Sequence, residues 1–147
     1  MEKSKGINLI EVLIVLAVIG IMTAALSPSF SRFLPSVRLS GAAKELTIQL
    51  RKAQQYAVTE QIIYQVTIFP TENKYQLIKK TDPEQIVTEV ALPQTISFGT
   101  TTLSPPEISF NPAGRPSQSG KIELLNQRNK KIIIEIGPAG FIRSYNE

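Results

Sequence analysis

One carboxylate in this chain stands where a carboxylate is costly. Glu11 lies about one turn into the apolar run INLIEVLIVLAVIGIMTAAL, residues 7–26. At the centre of a membrane-spanning helix an acidic side chain costs about 2.5–3.5 kcal/mol on insertion scales, less near an end, and it marks a functional position that needs a partner. No Lys or Arg occurs between Lys5 and Arg32. The cation that pairs with Glu11 therefore has to come from the leader, from a new amino terminus or from another chain. The other groups with chemical potential are cations. Arg128, Lys130 and Lys131 surround a predicted hairpin tip, Asn126-Gln-Arg-Asn-Lys130, and are the kind of group that contacts phosphate. A charged tip that merely keeps an exposed sheet edge soluble is the competing reading of the same residues.

The inventory excludes much else. There is no Cys, so no disulfide, thiol nucleophile or thiolate metal site, and no His, so no Ser-His-Asp triad and no His-based zinc centre. Asp82, Glu84, Glu89, Glu107, Glu123 and Glu135 are scattered over predicted strands and turns, which suits solvated faces better than a metal site. Gly-rich phosphate loops, carboxylate pairs at catalytic spacing and internal repeats are missing. The reading is a non-enzyme without cofactor or metal. A net charge of +4 is compatible with a nucleic-acid partner without requiring one.

The elements that position these groups follow from pattern. A leader, 1–6, carries Lys3 and Lys5; residues 7–35 form a membrane-spanning helix, and 36–147 a globular domain. Twenty residues from Ile7 to Leu26 rise about 30 Å, the thickness of a bilayer's hydrocarbon core. The short basic leader favours N-in topology in a single pass, with the C-terminal domain outside the cytoplasm. A cleaved secretory signal is the rival reading, but its apolar core is usually 7–15 residues and carries no carboxylate. Pro28 and Pro35 predict kinks or a short break. Beyond them Leu39, Ala43, Leu46, Leu50, Ala53 and Ala57 recur at steps of four and three, an amphipathic helix over 36–60 whose narrow stripe suits close packing on a sheet.

From Ile62 the period changes to two and strands take over. A hairpin joins 64–69 to 74–79 through the turn Pro70-Thr-Glu-Asn73, and Asp82-Pro83 marks the next turn. Further strands are predicted at 86–92, 95–98, 107–110, 121–125, 131–136 and 140–143, with exposed loops at 100–106 and 111–120. The fold class is α+β: a long N-terminal helix, half membrane-spanning and half amphipathic, packed on an antiparallel β-rich domain.

The stretch KGINLIEVLIVLAVIGIMTAALSP resembles the processing signal of type IV pilins and type II secretion pseudopilins, with Gly6, Glu11 and Pro28 at the family's offsets; Ile7 stands where Phe is usual. The resemblance implies cleavage by prepilin peptidase between Gly6 and Ile7, N-methylation of Ile7, and pairing of the new amine with Glu11 of a neighbouring subunit. Buried pairs of this kind add little net stability but fix register. It also implies an inner-membrane assembly platform and other pilins or pseudopilins as partners, in the bacterial cytoplasmic membrane and then the filament. The helix LTIQLRKAQQYAVTEQ, the turn Phe110-x-Pro112-x-Gly114 and the closing Gly140 to Arg143 are similar to the GspH/FimT branch of minor pseudopilins. That implies a structural subunit that initiates or tips a pseudopilus or pilus. Some members of the branch bind DNA for natural transformation through a Gly-Arg-x-Arg motif; here Phe141 replaces its first Arg, and a Phe beside Ile142 reads as core. The alternative function is thus DNA uptake, with Arg115, Arg128, Lys130, Lys131 and Arg143 as phosphate contacts.

Overall fold

The computed structural model describes residues 9–146, with side chains described for all of these except 25–32. Its first element is one continuous helix, α1, Leu9–Glu60. The expected break at Pro28 or Pro35 is not there. A proline removes one backbone donor and crowds the preceding turn, and a helix otherwise rich in Leu, Ile, Val and Ala carries through it. The chain divides into two compact units, Met1–Leu34 and Pro35–Glu147.

In the first unit apolar side chains surround the helix instead of lining one side of it, and Leu9, Leu13, Ile14 and Leu16 are all exposed. Among the described residues no helix is long and apolar enough to cross a membrane. Described side chains cover 9–24 of the apolar run, about 24 Å of helical rise against a hydrocarbon core of about 30 Å. The other ends of the predicted span, 7–8 and 25–26, lie outside the described side chains.

In the second unit α1 has a single buried side. Leu39, Ala43, Leu46, Leu50, Ala53 and Ala57 are all buried, joined by Ala42, so the stripe read from the periodicity is the stripe that packs. Two four-stranded antiparallel sheets receive it. The first has the order β3-β2-β1-β5, from β1 (Tyr64–Phe69), β2 (Lys74–Lys79), β3 (Gln85–Ala91) and β5 (Glu107–Phe110). The second has the order β4-β6-β7-β8, from β4 (Ile96–Thr101), β6 (Gly120–Asn126), β7 (Lys131–Ile136) and β8 (Ile142–Asn146). Tyr64, Val66 and Ile68 of β1, Tyr75 and Leu77 of β2, and Ile132, Ile134 and Ile136 of β7 all join the helix stripe in one apolar cluster. The β1–β2 hairpin turns through a short 3-10 helix, Pro70–Glu72, closed by Asn73 at φ 48°.

Three local expectations shift. β4 runs on to Thr101, into the predicted loop, with its register against β6 irregular between Phe98 and Thr101; this polar edge segment lacks the alternation that marks a strand. The last strand begins at Ile142, not Gly140, and continues to Asn146, because Gly140 closes a turn on Gly137. Phe141 is 47% exposed and so is not core; its ring lies across Gly137, where an added Cβ would come within 2.0 Å of it.

Candidate functional site

Glu11 is exposed on a helix segment whose apolar neighbours are exposed as well, Ile10 at 61% and Val12 at 41%. Among the described residues it has no ion-pair partner. A helix of this kind presents a greasy surface in every direction with one carboxylate on it, and both need cover from outside the segment. Gly6 and Ile7, the predicted cleavage and methylation positions, lie outside the described residues. Pro28 lies within α1, its side chain outside the described ones.

The far half of α1 organises the loops of the domain. Gln54 donates from Nε2 to the carbonyl of Gly114 at 2.8 Å and to that of Gly140 at 3.0 Å. One turn earlier, Arg51 donates to the carbonyl of Ile142 at 3.0 Å. The two glycines that meet on Gln54 have φ of 74° and 85°, a region open to Gly at little cost. A Cβ on Gly140 would stand 2.6 Å from Gln54 Nε2 and 2.9 Å from the Gly114 carbonyl oxygen. The Phe110-x-Pro112-x-Gly114 motif is thereby explained. Phe110 is fully buried, Asn111 Oδ1 accepts from the amides of Ala113 and Arg115, and Gly114 lets the turn close against the helix. Nothing in the sequence singled out Gln54 or Arg51, since a polar residue beside a helix stripe has many possible uses.

At the C-terminus of α1 the electrostatics also come from outside the helix. Its last turn holds no basic residue and ends on Glu60, an acidic group at the negative end of the helix dipole. Lys79 of β2 supplies the missing cation at 2.7 Å, and the Tyr64 hydroxyl donates to the same carboxylate at 2.7 Å. Hydrogen bonding to Lys79, then to Tyr64, holds the Glu60 carboxyl below its usual range. The same contact raises Lys79, and burial, reinforced by Glu60, raises Tyr64.

The five basic candidates fall into separate places. Asn126 is buried and folds the β6–β7 tip: its Oδ1 accepts from the amides of Arg128 at 2.9 Å and Lys130 at 3.0 Å. Its Nδ2 donates to the Pro35 carbonyl at 3.4 Å. Arg128 and Lys130 are exposed on this tip, and Lys131 stands 4.0 Å from Glu123. Arg115 instead follows Gly114, at the turn held by Gln54. Pro35 and Gln54 are nineteen positions apart on α1, about 28 Å, so Arg115 and the tip form no common patch. Arg143 is occupied within its own sheet, 2.7 Å from Glu135 and with its guanidinium 5.5 Å from the Phe141 ring centre and 5.7 Å from that of Tyr145. Among the described residues no group of His, Cys, Asp and Glu could hold a metal ion.

Comparison with known proteins bears on this arrangement. The family model described as Type II transport protein GspH matches residues 42–140, from the buried Ala42 of α1 through every strand but β8 to the glycine seated on Gln54. Among solved structures, the minor pseudopilin EpsH from the Type 2 Secretion System of Vibrio cholerae is similar at a TM-score of 0.66 and 11% identity, covering 74% of this chain and 97% of that one. The type IV minor pilin FimU of Pseudomonas aeruginosa is similar at 0.64 and 14% identity, covering 77% and 92%. No curated protein matches the sequence. At these identities the solved structures speak for the fold, which is pilin-like.

Proposed function

The chain belongs to the GspH family of type II transport proteins, type IV pilin-like minor pseudopilins that are structural and not enzymatic, and from that premise we propose that it is a minor subunit that initiates or tips a secretion pseudopilus or a type IV pilus. The observation that carries the reading is Glu11 on an all-round apolar helix surface with no cation among the described residues to meet it. In this reading residues 7–35 anchor the chain in the bacterial cytoplasmic membrane, N-in, with the 36–147 domain on the far side. Prepilin peptidase removes residues 1–6, the amine of Ile7 is methylated, and that amine pairs with Glu11 of the adjacent subunit once helices of other pilins replace lipid around the segment. Pro28 then shapes the helix core of the filament.

The test is Glu11→Leu, followed by crosslinking of the subunit into its filament. Leaving a buried charge without its partner costs about 3–5 kcal/mol, so recruitment should fall by roughly two orders of magnitude or more while insertion persists. Normal recruitment of the variant would remove Glu11 from the assembly mechanism.

A second reading, DNA capture for uptake, is favoured by one observation, the exposed cations of the β6–β7 tip. If Arg128, Lys130 and Lys131 each contact a phosphate of duplex DNA, the logarithm of affinity should fall against that of salt with a slope of about −3. A gel shift that is absent at low salt, or flat across salt, eliminates this reading.

A further inference from the structure

Each of the two sheets has two edge strands, and a bare edge invites pairing with another chain. Three of the four are covered. Beside β5, the Ser117 amide donates to the Ser109 carbonyl at 2.7 Å and Gln118 Nε2 to the Glu107 carbonyl at 2.6 Å. Along β4 the register is irregular between Phe98 and Thr101, and the Phe98 amide donates to Asn73 Oδ1 at 3.3 Å. β8 is met by α1, whose Arg51 donates to the Ile142 carbonyl. β3 has no such cover among the described residues: five of its seven residues are exposed and none is buried.

The direction of its free hydrogen-bonding groups follows from one contact. Leu92 donates to the Asn73 carbonyl at 2.8 Å, one step beyond the facing pair Lys74 and Ala91. Alternation in an antiparallel ladder then turns the N–H and C=O of Ala91 and Glu89 away from β2. This open run is bounded on one side by the bulge at Val87, where the pairing with β2 shifts between Leu77 and Ile78. On the other side it ends at Pro93, which has no N–H. Its centre is Val90.

We infer that β3 pairs with β3 of a second copy of this chain, antiparallel and about a dyad at Val90. In that register Glu89 of each copy lies opposite Ala91 of the other, and the two pairs exchange four backbone hydrogen bonds. Val90 faces itself and Thr88 faces Leu92, extending the apolar side on which Val90 and Leu92 already join the core. Glu89 keeps its own partners, Gln76 and, at 3.6 Å, Lys74, and meets a methyl group instead of a like charge. Moving the dyad by one residue removes the fit. Centred on Glu89 it opposes two carboxylates, and centred on Ala91 it sets Glu89 against Pro93. An isologous contact closes on itself, so this surface joins two copies and lies beyond the filament contacts proposed above.

The chain has no cysteine, so introduced thiols report the register directly. Full-length Glu89→Cys and Ala91→Cys chains, carrying different tags, are co-expressed and oxidised in isolated membranes. Opposed residues of a hydrogen-bonded pair have Cα atoms about 5.5 Å apart, within disulfide reach, whereas each variant paired with itself is two residues out of step, about 8 Å and beyond it. The mixed disulfide should form several-fold faster than either self-disulfide, with thermal unfolding of the reduced domain unchanged. Equal rates for all three, or no disulfide at all, overturns the inference. A photoreactive group on the Ala91→Cys thiol that joins a different subunit in preference to a second copy also overturns it, and assigns the edge to that partner. Val90→Cys, which faces itself across the dyad, reads the charge at the neighbouring pair. Adding Ala91→Glu, opposite Glu89, should lower its self-disulfide yield about two- to thirtyfold through two like-charge contacts, whereas Ala91→Lys should not. Equal yields with the two charges refute the register.

Discussion

The two halves of α1 are built from similar apolar residues and put them to opposite use. Before Pro35, Leu9 is 76% exposed; after it, Leu46 and Leu50 are wholly buried. The difference lies in arrangement more than composition. Apolar residues surround the first half, so no single domain packed on one side could cover them. In the second half they are confined to one stripe, with Lys44, Glu45, Arg51 and Lys52 between its members, and one β-domain suffices. An apolar helix without a polar side asks for an environment on all sides, such as a bilayer or a bundle of neighbouring helices.

The comparison can be broken at several points. The largest effect belongs to the end of the first half: on the proposal that residues 1–6 are removed after Gly6, Gly6→Leu should abolish that cleavage by placing a bulky side chain at the bond to be cut. Intact mass would show the leader retained, and a chain beginning at Ile7 in this variant would refute the cleavage site. Next comes stability. Leu50→Ala should cost the domain about 2–5 kcal/mol through lost burial and the cavity left behind, while Leu13→Ala should leave the domain's urea midpoint essentially unmoved. Equal effects of the two would erase the distinction between the halves.

A smaller effect sharpens the second half. Gln54→Ala removes the donor shared by Gly114 and Gly140, and at about 0.5–1.5 kcal/mol for each net hydrogen bond should destabilise the domain by about 1–3 kcal/mol. Gly140→Ala should be at least as harmful, since its Cβ meets both Gln54 and the Gly114 carbonyl. An unchanged melting temperature in either variant would show that the loops do not depend on the helix. The smallest effect is at the C-terminus of α1. The folded-state pKa of Glu60 is lowered by Lys79 and Tyr64, so its contribution is present above the unfolded value of 4.5 and is lost as pH falls through the folded one. Glu60→Gln should lower stability slightly near neutrality and leave it nearly unchanged at low pH, so that the acid limb of the stability–pH curve flattens. An acid limb identical to wild type would mean the Lys79 contact contributes nothing.

Legibility from sequence followed the range of the interactions. Local periodicity located the stripe of α1 residue by residue, and the bounds of β2, β5 and β7 fell where alternation of β-branched residues put them. The misplacements occurred where a longer-range contact decided the backbone. Gly140 was drawn into the last strand because its neighbours alternate, yet it turns on Gly137 and faces Gln54. Phe141 reads as core by its apolar type, yet it is half-exposed, covering Gly137 and stacking with Arg143. The basic residues were legible as cations but not as groups: Arg128, Lys130 and Lys131 lie together because they share a hairpin, whereas Arg115 and Arg143 were parted from them by the packing of loops and sheets.

By itself the sequence determined the family resemblance, the exclusion of thiol and imidazole chemistry, the cost of Glu11 and the change along one helix from an all-round apolar surface to a single stripe. These depend on residue type and on spacing within a few turns, both of which are written in the chain. Only the tertiary structure decided that Gln54 holds two distant glycine turns, that Lys79 compensates Glu60 at the end of α1, and that the β6–β7 cations stand where the chain enters its domain. Each joins residues far apart in sequence, and which polar group meets which is fixed by how the two sheets close on the helix.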